Sequence, residues 1–190
     1  MMRAKKLTVV VPVVVAATLI GVVVARAAGP RRFHADLSGY QETPTLSSPA
    51  SGTLDVRISK GGDSLDYQLS YEGLATNVLF AHIHLGRPAI AGGVMVFLCT
   101  NGAPPAGVPV PPACPQGGGT VSGTLTAADV TASAAAQGVA AGEFDEVIEA
   151  LRAGATYGNV HTMTYMAGEI RGQLSSDSRD KHRDFDDDRH

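Results

Sequence analysis

Tryptophan is absent from this chain, and only five Tyr and five Phe occur among its 190 residues. That absence, beside an abundance of Gly, Val, Thr and Ala, suits a β-rich domain with many turns. An excess of either charge is also missing: 15 Lys and Arg stand against 18 Asp and Glu, for a formal net charge of −3. With no basic stripe carrying interleaved aromatics, nothing points to a nucleic-acid partner. No G-x-S-x-G elbow appears, so nucleophilic catalysis has no visible machinery, and the chain is read as non-enzymatic, with metal-dependent redox or hydrolytic activity as the alternative. Cysteine is scarce as well, limited to Cys99 and Cys114. They bracket a Gly/Pro-rich stretch, and in an exported protein such a pair most simply forms a disulfide. A zinc role is the competing reading, although no His lies near either cysteine.

What is present at the N-terminus sets the expected compartment. Arg3, Lys5 and Lys6 precede an uncharged apolar run from Leu7 to Val24, and Ala25-Arg26-Ala27 offers a small-x-small cleavage site before Ala28. Residues 1–27 therefore read as an export signal. The run is close to the length that spans a bilayer, so an uncleaved membrane anchor is the alternative. Both place the remainder of the chain outside the cytoplasm, secreted or at the cell surface. Residues 28–174 are enough for one domain with its own core. From Ser175 to His190 no apolar period survives and ten Asp, Lys and Arg of mixed sign follow one another. That composition predicts a disordered charged tail.

Within the domain, Leu54, Val56 and Ile58 alternate with polar residues, as do Leu65, Tyr67 and Leu69, around Gly61-Gly62-Asp63. This is the pattern of a β-hairpin with one buried face. Val78 to Leu85 and Val94 to Cys99 are more continuously apolar, as central strands are. A further strand is expected over Thr120 to Leu125, followed by Thr126 as an N-cap with Asp129 three residues on. Phe144, Val147, Ile148 and Leu151 describe a short amphipathic helix that Gly154 is placed to end. Thr156 to Thr164 and Glu169 to Leu174 complete the set as a closing hairpin.

Three of the six histidines lie in two of these strands, in Ala81-His82-Ile83-His84-Leu85-Gly86 and Asn159-Val160-His161-Thr162. Residues two apart on a strand share a face, so His82 and His84 project together and His161 could join them from a neighbour. Three imidazoles with an open position suit zinc or copper, with Glu169 as a fourth ligand or as an acceptor for the ring N–H of a ligating histidine. The competing reading is structural. The imidazoles would then bond backbone carbonyls or Asn159, Thr162 and Glu169, and Glu169 and Arg171, on one face of their strand, would form an ion pair with each other or across strands.

The chain resembles the CHRD domain family, named after the repeats of chordin and also found in bacterial exported proteins. The resemblance rests on Phe33-His34-Ala35-Asp36-Leu37-Ser38-Gly39 with Gln41-Glu42 and Pro44, then Gly52, Ala81-His82-Ile83-His84-Leu85-Gly86 and Gly93-Val94-Met95-Val96. Asn159-Val160-His161-Thr162 and Gly168-Glu169-Ile170-Arg171-Gly172-Gln173-Leu174 follow in the family's order. Gly158 stands where the family usually carries a bulkier residue, and Met166-Ala167 replaces a Pro-containing turn. The resemblance implies a Greek-key antiparallel β-sandwich or flattened barrel with one or two short helices. The resemblance carries no general activity for bacterial members, and the functional reading is an extracytoplasmic binding or structural module with an extracellular protein or glycan partner. A zinc- or copper-binding exported protein is the alternative. Intact-mass analysis of the exported chain is expected to show it beginning at Ala28; a chain retaining residues 1–27 would establish the anchor instead.

Overall fold

The computed structural model describes residues 29–103 and 106–177. In chain order its strands are β1 (Arg32–Ser38), β2 (Ser51–Ile58), β3 (Leu65–Glu72), β4 (Val78–Leu85), β5 (Val94–Thr100) and β6 (Gly118–Leu125). Helix α1 (Phe144–Arg152) follows, then β7 (Thr156–Thr162), β8 (Ile170–Gln173) and the two-residue β9 (Ser175–Ser176). All the strand pairs are antiparallel and belong to one sheet, ordered β5-β4-β7-β8-β1-β2-β3-β6, with β9 beside β1. The sheet curls until its edge strands β5 and β6 approach each other, giving a nearly closed, flattened barrel.

The alternation of β2 and β3 produces the expected hairpin: Leu54 faces Leu69, Val56 faces Tyr67 and Ile58 faces Leu65 in register. Their inward side chains are buried, while Asp55, Arg57 and Gln68 lie on the solvent face. The turn is held by the Ser59 hydroxyl, which donates to Asp63 and accepts the backbone N–H of Asp63 and Ser64. Gly62 takes the positive φ of 74° that the tight turn requires. In β4 and β5 the continuous apolar pattern reflects cover on both faces, with Ala81, Ile83, Val96 and Leu98 fully buried.

Helix α1 lays Phe144, Val147, Ile148 and Leu151 on this core, and Gly154 (φ 63°) follows its C-cap as expected. The Thr126–Asp129 capping box forms, with the Thr126 N–H donating to the Asp129 carboxylate. The Ala-rich stretch after it makes only a 3-10 turn over Ala132–Gln137, stopped by Gly138. The charged tail was expected to start at Ser175, but Ser175 and Ser176 pair with His34 and Phe33. Leu174 is completely buried and carries the chain into that pairing, which the Asp177 N–H extends by donating to the Arg32 carbonyl. The rest of the expected tail, with His182 and His190, and the whole N-terminal signal or anchor lie outside the described residues. No helix among the described residues is long and apolar enough to cross a membrane.

Cys99 and Cys114 form a disulfide across a sequence separation of 15 residues, at the seam where β5 leaves the sheet. The Thr100 N–H donates to the Pro112 carbonyl, and the Asn101 side chain bonds Val78 and both backbone groups of Cys114. Replacing both cysteines by Ala is expected to lower the unfolding free energy by about 3 kcal/mol, read from urea melts. An unchanged midpoint would show that Thr100 and Asn101 hold the seam without the covalent link.

Candidate metal centre

The histidine strands lie side by side. β4 pairs with β7 so that Phe80 faces His161, His82 faces Asn159 and His84 faces Tyr157. β8 continues the row, with Arg171 opposite Asn159 and Gln173 opposite Tyr157. Because alternate residues share a face, one side of this part of the sheet carries a polar layer of imidazoles, Asn159, Tyr157 and Arg171. The opposite face carries Ala81, Ile83, Val160 and Ile170, all fully buried. Every residue of β7 is buried, so the polar layer is covered too.

Three loop segments provide that cover and fix the side chains. His84 Nδ1–H donates to the Gly92 carbonyl at 2.9 Å, and His161 Nδ1–H donates to the Met166 carbonyl at 3.0 Å. A carbonyl oxygen only accepts, so both bonds place the proton on Nδ1 and leave a lone pair on Nε2, which His161 presents to His82 Nδ1. Gly92 is demanded by this geometry, since a Cβ there would lie 1.6 Å from the Leu85 carbonyl oxygen. From the third segment, Glu42 accepts a hydrogen bond from Asn159 Nδ2.

The structure therefore brings His82, His84 and His161 together. One nitrogen from each lies within 4.8 Å of the others, and their relative exposures are 4, 7 and 7 %. His82 Nδ1 lies 3.3 Å from His161 Nε2, within hydrogen-bond distance, and with the His161 proton on Nδ1 the donor of that bond is His82 Nδ1–H. Nε2 of His82 and Nε2 of His84 are buried without a hydrogen-bond partner. Phe80 stacks on His82, Phe97 meets it edge-on, and Tyr157 stacks on His84 at 4.7 Å.

Glu169 does not join them. Its carboxylate accepts from the Ser48 and Thr162 hydroxyls and the Ala75 N–H, which uses its oxygens elsewhere. The expected Glu169–Arg171 pairing is replaced as well. Arg171 donates to the Arg87 and Ile90 carbonyls and to Thr43, and its guanidinium lies 3.4 Å over the Tyr157 ring. Asn159 and Thr162 serve Glu42 and Glu169 rather than the imidazoles. The reason is the fold: loop donors reach the carboxylate and loop carbonyls reach the guanidinium and two of the rings. Glu42, Gly92, Met166, Tyr157 and Phe97 had no role assigned from sequence, because nothing in their local pattern announces which loop closes over which strand.

A family model for the CHRD domain matches residues 33–174. The chain belongs to the CHRD domain family. No curated protein and no solved structure matches it. The matched span of this CHRD domain starts in β1, ends at the buried Leu174 and contains all three histidines. At Gly158, where the resemblance leads one to expect a bulkier residue, Leu54 occupies the space: a Cβ would sit 2.7 Å from Leu54 Cδ2.

Burial sets the charge state of the layer. Burial, joined by the neighbouring imidazoles, pushes His82 down to about 2; burial, joined by His161 and Arg171 and opposed by the Gly92 hydrogen bond, pushes His84 down to about 4. His161 is lowered chiefly by burial, and burial raises Glu42 to about 7. Below an unfolded value of 6.5 the unfolded chain binds protons that the native histidines refuse, so stability falls as pH falls. Glu42 acts in the opposite sense between 4.5 and about 7, because there the native state holds the extra proton. The net expectation for the ion-free CHRD domain is a loss of about 2 kcal/mol per pH unit from pH 6.5 towards 4.5, measured by urea melts in chelator. A flat profile would mean that the imidazoles are solvated in the native state.

Proposed function

We propose that this CHRD domain is a non-enzymatic, extracytoplasmic binding module whose bound species is one transition-metal ion, zinc or copper, held by His82, His84 and His161. One observation carries the reading: one nitrogen from each of the three buried imidazoles lies within 4.8 Å of the others, and the lone pair on His84 Nε2 has no protein partner. A purely structural cluster satisfies its buried polar atoms, and leaving an acceptor unmet costs about 1–3 kcal/mol. An ion meets that lone-pair demand directly. The carbonyls of Gly92 and Met166 support the same reading, since ligating histidines commonly donate their other ring N–H to such a group. The disulfide and the signal-like N-terminus support a compartment outside the cytoplasm.

The test is metal content by mass spectrometry on the full-length chain, purified without a His tag, beside a variant with His82, His84 and His161 changed to Ala. Near-stoichiometric metal in the parent and none in the variant is the expected outcome, with circular dichroism checking that the variant keeps its β signature. No metal in the parent after incubation with zinc and with copper would return the cluster to the structural reading. The search would then turn to a protein or glycan partner.

A further inference from the structure

We infer that the ion suited to this centre is monovalent copper, taken up through the β7–β8 turn that carries Met163 and Met166; the inference rests on the three-histidine reading above. Charge is the first argument. The three candidate ligands are neutral imidazoles, and no carboxylate joins them: Glu169 is committed to Ser48, Ala75 and Thr162, and Glu42 bonds Asn159 rather than an imidazole. Arg171 lies 3.4 Å over the Tyr157 ring, which in turn stacks on His84, so a fixed positive charge already sits one ring away from the cluster. The desolvation cost of an ion grows with the square of its charge, so a monovalent ion meets roughly a quarter of the cost of a divalent one of similar size.

Coordination number gives the second argument. Zinc and divalent copper complete four or more positions, commonly with water or a carboxylate. Here the rings are packed against Phe80, Phe97 and Tyr157, which offer two apolar faces and a phenol whose oxygen accepts from Gly92 N–H. Monovalent copper carries half the charge of zinc at the same filled d shell, and three nitrogen ligands suffice for it.

The third argument is independent of the rings. Met163 and Met166 are 61 and 68 % exposed, whereas Met95 is fully buried. Methionine is ordinarily an interior residue, and a thioether is a soft ligand that selects monovalent copper over zinc. The Met166 carbonyl accepts the His161 ring N–H, so an exposed thioether belongs to a residue one hydrogen bond from a candidate ligand. The ion enters and remains as Cu(I), and no redox step is involved.

Anaerobic titration of the full-length chain with Cu(I) against a chromophoric Cu(I) chelator, and separately with Zn(II), tests this. One Cu(I) per chain is expected, retained against roughly tenfold excess zinc, with an X-ray absorption edge of Cu(I) and three nitrogen neighbours. The double variant Met163→Leu/Met166→Leu, at two exposed positions, is expected to load Cu(I) about tenfold more slowly with unchanged final affinity and unchanged zinc binding. Zinc that excess Cu(I) does not displace, and that is lost in the triple histidine variant, would overturn the choice of ion while the three-histidine centre stands. Parental loading rates in the methionine variant would overturn the uptake route. Binding of neither ion by the parent chain would overturn the centre itself.

Discussion

Because β4 pairs with β7 from Val78 opposite Thr162 to Leu85 opposite Thr156, segments about eighty residues apart are locked into one register. A slip of one residue would turn His82, His84 and Asn159 into the core and bring Ile83 and Val160 out. The apolar face forbids that slip, since Ala81, Ile83 and Val160 are completely buried against the rest of the barrel. Core packing thus positions the imidazoles, although none of them belongs to the core.

The polar layer then imposes its own demand. Buried imidazoles, a carboxyl, an amide and a guanidinium are tolerable only when their hydrogen-bonding groups find partners. Loop backbone meets most of that demand: Gly92 and Met166 accept from histidines, and Arg87 and Ile90 accept from Arg171. Those loops are consequently ordered by the strands they cover. The atoms left without a partner include Nε2 of His82 and of His84, beside Thr156 Oγ1 and Gln173 Oε1 in the neighbouring strands, and at the imidazoles a ligand can supply what is missing. Neutral rings in a low-dielectric setting are also in the protonation state that metal binding needs, without a proton having to leave.

Much of the secondary structure was legible from short-range pattern. The alternation of Leu54, Val56 and Ile58 against Leu65, Tyr67 and Leu69 encodes a hairpin, and the spacing of Phe144, Val147, Ile148 and Leu151 encodes a helix face. The His-x-His spacing placed two rings on one face without further information. Ser175 and Ser176 misled because their strand owes nothing to their own composition: β1 offers them an edge, and the buried Leu174 delivers them to it. Glu169 misled for a related reason, since a carboxylate one strand from a histidine goes to the nearest unpaired donors, which here are Ser48, Ala75 and Thr162.

The chain's own residue order determined that this is an antiparallel β domain of the CHRD family, that its two cysteines bracket one loop, and that His82 and His84 point the same way. These follow from periodicities and spacings within a few residues, which local sterics convert directly into structure. The meeting of His161 with that pair, the cover provided by Glu42, Gly92 and Met166, and the diversion of Glu169 and Arg171 were decided only by the tertiary structure. Each depends on which distant strand lies alongside and which loop folds over it. That choice is made by the collective burial of the apolar face, a property no local segment carries.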